Sequence, residues 1–177
     1  MSDWMPVDKD IVGENVYLNM INKAKDYVYI MTPYLIIDNE MLTALTLAAR
    51  SGIDVRIITP GVPDKKLVYM VTQSYYYDLI TAGVRIFQYT PGFVHAKTVV
   101  LDDRVATVGT INFDYRSLYL HFECGVWMFN SQVIYDIKKD FEDTLALCDE
   151  VTLEEIKQTS GRRALGQSLL RLVAPLL

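Results

Sequence analysis

Two β-branched runs, Lys97 to Leu101 and Arg104 to Val108, flank the pair Asp102-Asp103 near the middle of the chain. An acidic pair between two such runs suits a two-residue hairpin loop. In that register Lys97 faces Val108 and His95 faces Thr110, so the returning strand brings Gly109, Thr110 and Asn112 back beside His95 and Lys97. Residues two apart on a strand share a face, which points His95 and Lys97 the same way. Gly109 removes a side chain where something approaches the backbone closely. An imidazole, an ammonium, an amide and a bare glycine thereby converge on one small volume, and that set suits an anionic phosphoryl group.

The flanking sequence alternates helices and strands. Glu14 to Asp26 reads as an amphipathic helix through Val16, Met20, Ile21 and Ala24, and Tyr27 to Thr32 as a buried strand ended by Pro33. Asp38 is placed to cap a helix running to Arg50 with Gly52 as its stop. Ile53 to Thr59 is the next strand, Asp64 caps a helix through about Thr81, and Val84 to Tyr89 is a third strand. After the hairpin, Phe122 to Phe129 is strand-like, with Glu123, Gly125 and Trp127 on one face. Ser131 to Leu147 follows as a helix with Val133, Ile134, Ile137, Phe141 and Leu145 as its apolar stripe. Thr152 to Glu155 is a capping-box pattern. Crossover units of this length predict an α/β domain with a largely parallel sheet, to which the hairpin adds antiparallel strands. Tyr75-Tyr76-Tyr77 reads as a helix turning rings to both core and solvent. Tyr34, after the first strand, lies where open α/β sheets place ligands.

Several classes of function are disfavoured. A formal charge of −5 argues against a nucleic-acid partner, because phosphate contacts need clustered Lys and Arg. Two histidines without a carboxylate cluster make a poor metal site, and no cofactor is implied. Cys124 and Cys148 lack metal-ligand spacing and read as two buried thiols rather than a disulfide. Met1 to Pro6 lacks the pattern of a signal peptide, and no stretch approaches the roughly 20 apolar residues of a membrane span.

His95-x-Lys97, four residues, Asp102, six residues, Gly109-Thr110-x-Asn112, with Glu123 about ten residues on, resembles the HKD signature of the phospholipase D superfamily. Within it, Thr32-Pro33-Tyr34, Asn112-Phe-Asp114-Tyr-Arg116-Ser117 and the ending Arg171-Leu-Val-Ala-Pro175-Leu-Leu are similar to the C-terminal half of bacterial cardiolipin synthases. Thr110 stands where serine is usual and His121 where asparagine is expected. The resemblance implies a phospholipase D-like mixed sheet flanked by helices, one catalytic domain over 1–160 carrying one HKD motif, and a C-terminal amphipathic helix over 161–177.

It also implies roles. His95 is the expected nucleophile, forming a phosphatidyl-histidine; Lys97 and Asn112 hold the phosphoryl oxygens; Glu123 accepts from the second imidazole nitrogen of His95. Asp102 is expected in a supporting role, and Gly109, Thr110 and Tyr34 on the substrate side. The implied reaction joins two phosphatidylglycerol molecules into cardiolipin at a bacterial cell membrane. The leaving alcohol needs an acid, which the family takes from the histidine of a second HKD motif. That motif lies either in another half of a longer protein or in a second copy of the chain; His121 is a weaker candidate. The Arg- and Leu-rich segment from Gly161 to Leu177 suits either a membrane interface or a docked terminal helix. Two alternatives stay open, a homodimeric single-motif phosphodiesterase (nuclease or phospholipase) and an inactive half that only binds lipid or a partner.

Overall fold

The structure is a computed structural model that describes residues 11–120, 122–158 and 170–171. The elements in chain order are α1 (Val12–Lys23), β1 (Tyr27–Met31), β2 (Leu35–Ile36), α2 (Asn39–Arg50), β3 (Asp54–Pro60), α3 (Lys66–Ser74), α4 (Tyr76–Thr81), β4 (Arg85–Tyr89), β5 (Thr98–Leu101), β6 (Val105–Gly109) and β7 (Phe113–Asp114). A π-helical turn (Arg116–Leu120), β8 (Gly125–Phe129), α5 (Val133–Leu145), β9 (Cys148–Glu150) and α6 (Leu153–Lys157) follow. Seven strands form one mixed sheet in the order β8-β6-β5-β1-β3-β4-β9, and β2 pairs with β7 beside it. As expected, β1, β3 and β4 are parallel and the hairpin strands run antiparallel, but β8 and β9 also pair antiparallel, so four of the six pairings are antiparallel and the sheet is mixed rather than largely parallel.

All five residues of β1 are buried, so both sheet faces are covered. Val28 and Ile30 point into a core shared with α1, α2 and α4, through Met20, Leu45 and Leu79. Tyr27, Tyr29 and Met31 point into a second core, closed by Ile134 and Phe141 of α5. The expected cap of α2 is present, with Asp38 accepting from the Met41 amide at 2.8 Å. Gly52 ends that helix at φ +92°, a conformation few other residues tolerate. The Thr152–Glu155 capping box opens α6.

Four expectations are corrected. The hairpin connection is Asp102 to Arg104, with Leu101 opposite Val105, so the register differs by one residue and Gly109, not Val108, reaches Lys97. Asp102 and Asp103 both take positive φ to make this turn. Second, Asp64 does not cap a helix; it accepts from the Tyr34 hydroxyl at 2.6 Å, and α3 opens without a side-chain cap. The long helix expected through Thr81 is also divided at Tyr75. Ser74 turns its hydroxyl back onto the Val71 carbonyl at 2.6 Å, and the break lets Tyr75 and Tyr76 both bury while Tyr77 stays out. Third, Val133 is exposed and drops out of the α5 stripe, and Glu123 precedes β8 rather than lying within it. Fourth, both cysteines are free but neither is buried, Cys124 being exposed and Cys148 half-buried. His121 and the C-terminal helix lie outside the described residues, except Leu170 and Arg171, where Arg171 bonds Asp78 at 2.7 Å.

Candidate active site

The site forms where β5 starts and β6 ends, at the carboxyl end of the parallel strands. Lys97 is only 8% exposed, and its ammonium donates to the backbone carbonyl of His95 at 2.7 Å. Burial pushes its pKa below the ordinary lysine value, and the carboxylates of Glu123 and Asp114 pull it back up. With one neutral acceptor among the described residues, this buried cation is incompletely satisfied, and an anion at this position relieves it. The His95 ring is exposed and makes no hydrogen bond to any described residue. It stands 5.6 Å from the ring of Phe93, which stands 6.5 Å from that of Tyr34.

Glu123 departs from its expected pairing. Its carboxylate accepts from the Thr110 hydroxyl rather than from His95. The same hydroxyl accepts from the Cys124 amide at 2.9 Å, and the Thr110 amide donates to the Cys124 carbonyl at 2.8 Å. Thr110 therefore fixes the segment that carries Glu123 rather than facing a ligand. Gly109 is corrected similarly: a Cβ there would collide with the Cys124 carbonyl oxygen and lie 2.6 Å from the Gly125 Cα. The close approach that excludes a side chain is the neighbouring strand, not a substrate.

Asp102 sits at the opposite end of β5, roughly 16 Å from Lys97 at the rise of an extended chain. Its carboxylate accepts from the backbone amides of Lys25, Asp26 and Tyr27 at 2.8, 2.9 and 2.9 Å. That fastens the hairpin turn to the start of β1 and removes Asp102 from the site.

Asn112 donates from Nδ2 to the Ser117 hydroxyl at 3.0 Å, and its Oδ1 is buried without a partner among the described residues. Because a serine hydroxyl both donates and accepts, the reversed amide keeps this bond and presents two N–H donors instead. Asn112 and Glu123 line a cleft of about 260 Å³ together with Tyr34, Lys65, Asp114, Arg116 and Ser117. Neither His95 nor Lys97 lines it; they stand at its side. Burial, and then the bond to Asp64, push the Tyr34 hydroxyl above its usual pKa, so it stays protonated. Lys65 places its ammonium 5.8 Å from the centre of the Tyr34 ring.

Lys65 and Arg116 were not anticipated. Arg116 belongs to a quoted run, Asn112 to Ser117, but the π-helical turn that presents it has no sequence signature. Lys65 reaches the cleft where the chain before α3 meets Tyr34, through the Tyr34–Asp64 bond and the Tyr34 ring.

The mixed sheet with its appended hairpin is the phospholipase D fold. A phospholipase D family member from Salmonella typhimurium, Nuc, superposes with TM-score 0.67 at 18% identity, covering 78% of this chain and 90% of its own. The phosphatidylserine synthase of Haemophilus influenzae superposes with TM-score 0.74 at 16% identity, covering 93% of this chain and 44% of its own. The family model described as "Cardiolipin synthase, PLD-like domain" matches residues 17–145, and the chain belongs to that family. A cardiolipin synthase of Clostridium perfringens is 43% identical over 164 residues, 93% of this chain and 34% of that protein. The chain thus spans about a third of the length of the curated relatives it matches.

Proposed function

We propose that this chain supplies one half of the active site of a phosphatidyltransferase that makes cardiolipin from two phosphatidylglycerol molecules. The observation that carries the reading is the buried ammonium of Lys97, 2.7 Å from the carbonyl of His95, beside an imidazole that is exposed and makes no hydrogen bond to a described residue. That pair offers a nucleophile and a desolvated cation for one phosphodiester.

A His95 ring nitrogen attacks the phosphorus of the first lipid. A P–N bond forms, the P–O bond to glycerol breaks, and the electron pair leaves on the glycerol oxygen, which takes a proton from an acid. A hydroxyl of the second lipid then attacks the phosphorus, the P–N bond breaks, and the hydroxyl proton passes to the conjugate base of that acid. Lys97 holds a non-bridging oxygen, Asn112 donates to another, and Glu123, fixed by Thr110, balances the charge of Lys97. The acid is a second histidine, from another HKD half of the full-length protein or a second copy of the chain. The edge of β8, unpaired among the described residues, supports a covering partner: Val126, Trp127 and Phe129 are 59%, 54% and 49% exposed. Among the described residues no helix is long and apolar enough to cross a membrane, so contact with lipid is assigned to the bilayer surface or to other parts of the full-length protein.

The test is phosphatidylglycerol turnover by the full-length protein in vesicles, with and without His95→Ala. The expected loss is at least about a thousandfold. Activity indifferent to the substitution removes the enzyme reading.

A further inference from the structure

The backbone on both sides of Asn112 is anchored. The Tyr17 hydroxyl donates to the Ile111 carbonyl at 3.1 Å, and the Phe113 amide donates to the buried Thr32 hydroxyl at 3.2 Å. The Phe113 ring stacks on that of Tyr17 with centres 4.6 Å apart. Asn112 is thereby tied to α1 and to the residue that follows β1, and what these anchors leave open is rotation of its amide.

That rotation decides what the amide can do. The terminal torsion of asparagine is broad and roughly two-fold, so the backbone alone does not choose which end faces a phosphoryl group. The carbonyl end sets lone pairs against anionic oxygens, whereas the N–H end donates to them. The hydroxyl of Ser117 lies 3.0 Å from Nδ2, and Oδ1 is buried without a partner among the described residues. When the hydroxyl donates to the amide oxygen instead, the two N–H donors take the place of that unpartnered atom.

Ser117 is itself fixed. It is 6% exposed, its backbone amide donates to the Asp114 carboxylate at 2.8 Å, and Asp114 pairs with Ile36 of β2. It sits on the π-helical turn two residues before Tyr119, whose hydroxyl donates to the Asp38 carboxylate at the cap of α2. Bonds to two separate elements hold this rare backbone form, and with it the hydroxyl, against Asn112.

We propose that Ser117 is a positioning residue for the transfer, its hydroxyl turning the N–H groups of Asn112 toward the phosphoryl oxygens while Asp114 and Tyr119 hold the π-helical turn that presents it. The inference rests on the phosphatidyltransferase reading above and adds to it the group that orients Asn112. Ser117 acts through the amide rather than on the phosphorus. Alanine at this position keeps the backbone bond to Asp114 and removes only the hydroxyl.

The experiment is a double-mutant cycle on phosphatidylglycerol turnover by the full-length protein in vesicles, with Ser117→Ala, Asn112→Ala and the two combined. Ser117→Ala is expected to lower kcat about tenfold or more with KM within about twofold, because oriented donors act on the transition state. Asn112→Ala lowers kcat about a hundredfold. Adding Ser117→Ala to it costs less than about twofold, since the amide it acts through is gone. Tyr119→Phe keeps the ring and removes the bond to Asp38, and it is expected to lower kcat about threefold, again only where Asn112 is present. Tyr119 is 38% exposed, so this variant folds whatever becomes of Ser117→Ala.

A kcat unchanged in Ser117→Ala, or the same loss with and without Asn112, overturns the inference and leaves the parent reading standing. If Ser117→Ala does not fold, either result for Tyr119→Phe overturns it in the same way. Full turnover in Asn112→Ala and His95→Ala overturns the parent reading, and the positioning role with it.

Discussion

The motif residues divide by what each touches. Among the described residues, His95, Lys97 and Asn112 present groups with unused bonding capacity: an imidazole without a hydrogen bond, a buried ammonium on one carbonyl, and an amide with one buried unpaired atom. Asp102, Gly109 and Thr110 spend theirs on the scaffold, through three backbone amides, a close strand and the Cys124 backbone. Glu14 shows how far a buried carboxyl departs from solution behaviour. It is 5% exposed at the junction of α1 with the start of α2, facing Asp38, Glu40 and Tyr119. Burial, and then its hydrogen bond to Asp38, push its pKa up to about 7. The folded protein therefore keeps this proton while the unfolded chain releases it near pH 4.5, so stability falls as pH rises from about 4.5 to about 7. Asp38 is shifted the other way, below its ordinary 3.8, so its own contribution is lost at more acid pH and does not mask this window. Thermal melts from pH 4.5 to 7.5 should show Tm declining, with the slope flattened in Glu14→Gln. A slope identical in both proteins contradicts the assignment.

At the scale of elements, α5 is the sole helix among the described residues in the core beneath Tyr27 and Tyr29, and it docks through Ile134 and Phe141, both fully buried. Phe141 stacks on Tyr29 with ring centres 4.8 Å apart. Phe141→Ala should cost about 3–5 kcal/mol in denaturant unfolding, since a ring-sized cavity in a two-sided sheet cannot collapse. A loss under about 1 kcal/mol would mean that α5 is not docked this way. Most of this architecture was legible beforehand because hydrophobic spacing, Asp38, Gly52 and the Thr152 capping box are local signals. The failures are tertiary. Asp64 has the chemistry of a cap, yet Tyr34 claims it across the fold. The division at Tyr75 follows from burying two adjacent rings, which helix periodicity does not forecast. The hairpin register hinged on one residue, and a left-handed pair at Asp102-Asp103 shifted Gly109 opposite Lys97. At the site, the spacing from His95 to Glu123 located the motif, but not the transfer of Glu123 to Thr110. Lys65 and Arg116 come together only in three dimensions, so no spacing in the chain announces them.

At the scale of the molecule, a chain spanning about a third of its curated relatives carries one histidine in its motif, whereas phosphatidyl transfer by this route uses a nucleophile and a separate acid. In the proposed reading the carboxyl end of the sheet holds the nucleophilic side, and the edge of β8, unpaired among the described residues, is the surface assigned to a completing partner. Covalent capture on His95 is the central claim, and it precedes any choice of acceptor. Full-length protein mixed with phosphatidylglycerol labelled in its phosphate, quenched in alkali within the first turnovers and mapped by peptide mass spectrometry, measures it directly. The account predicts label on the peptide containing His95, stable to base, labile to acid and absent from His95→Ala. Steady-state turnover with no label on that peptide, or label that persists in His95→Ala, contradicts it.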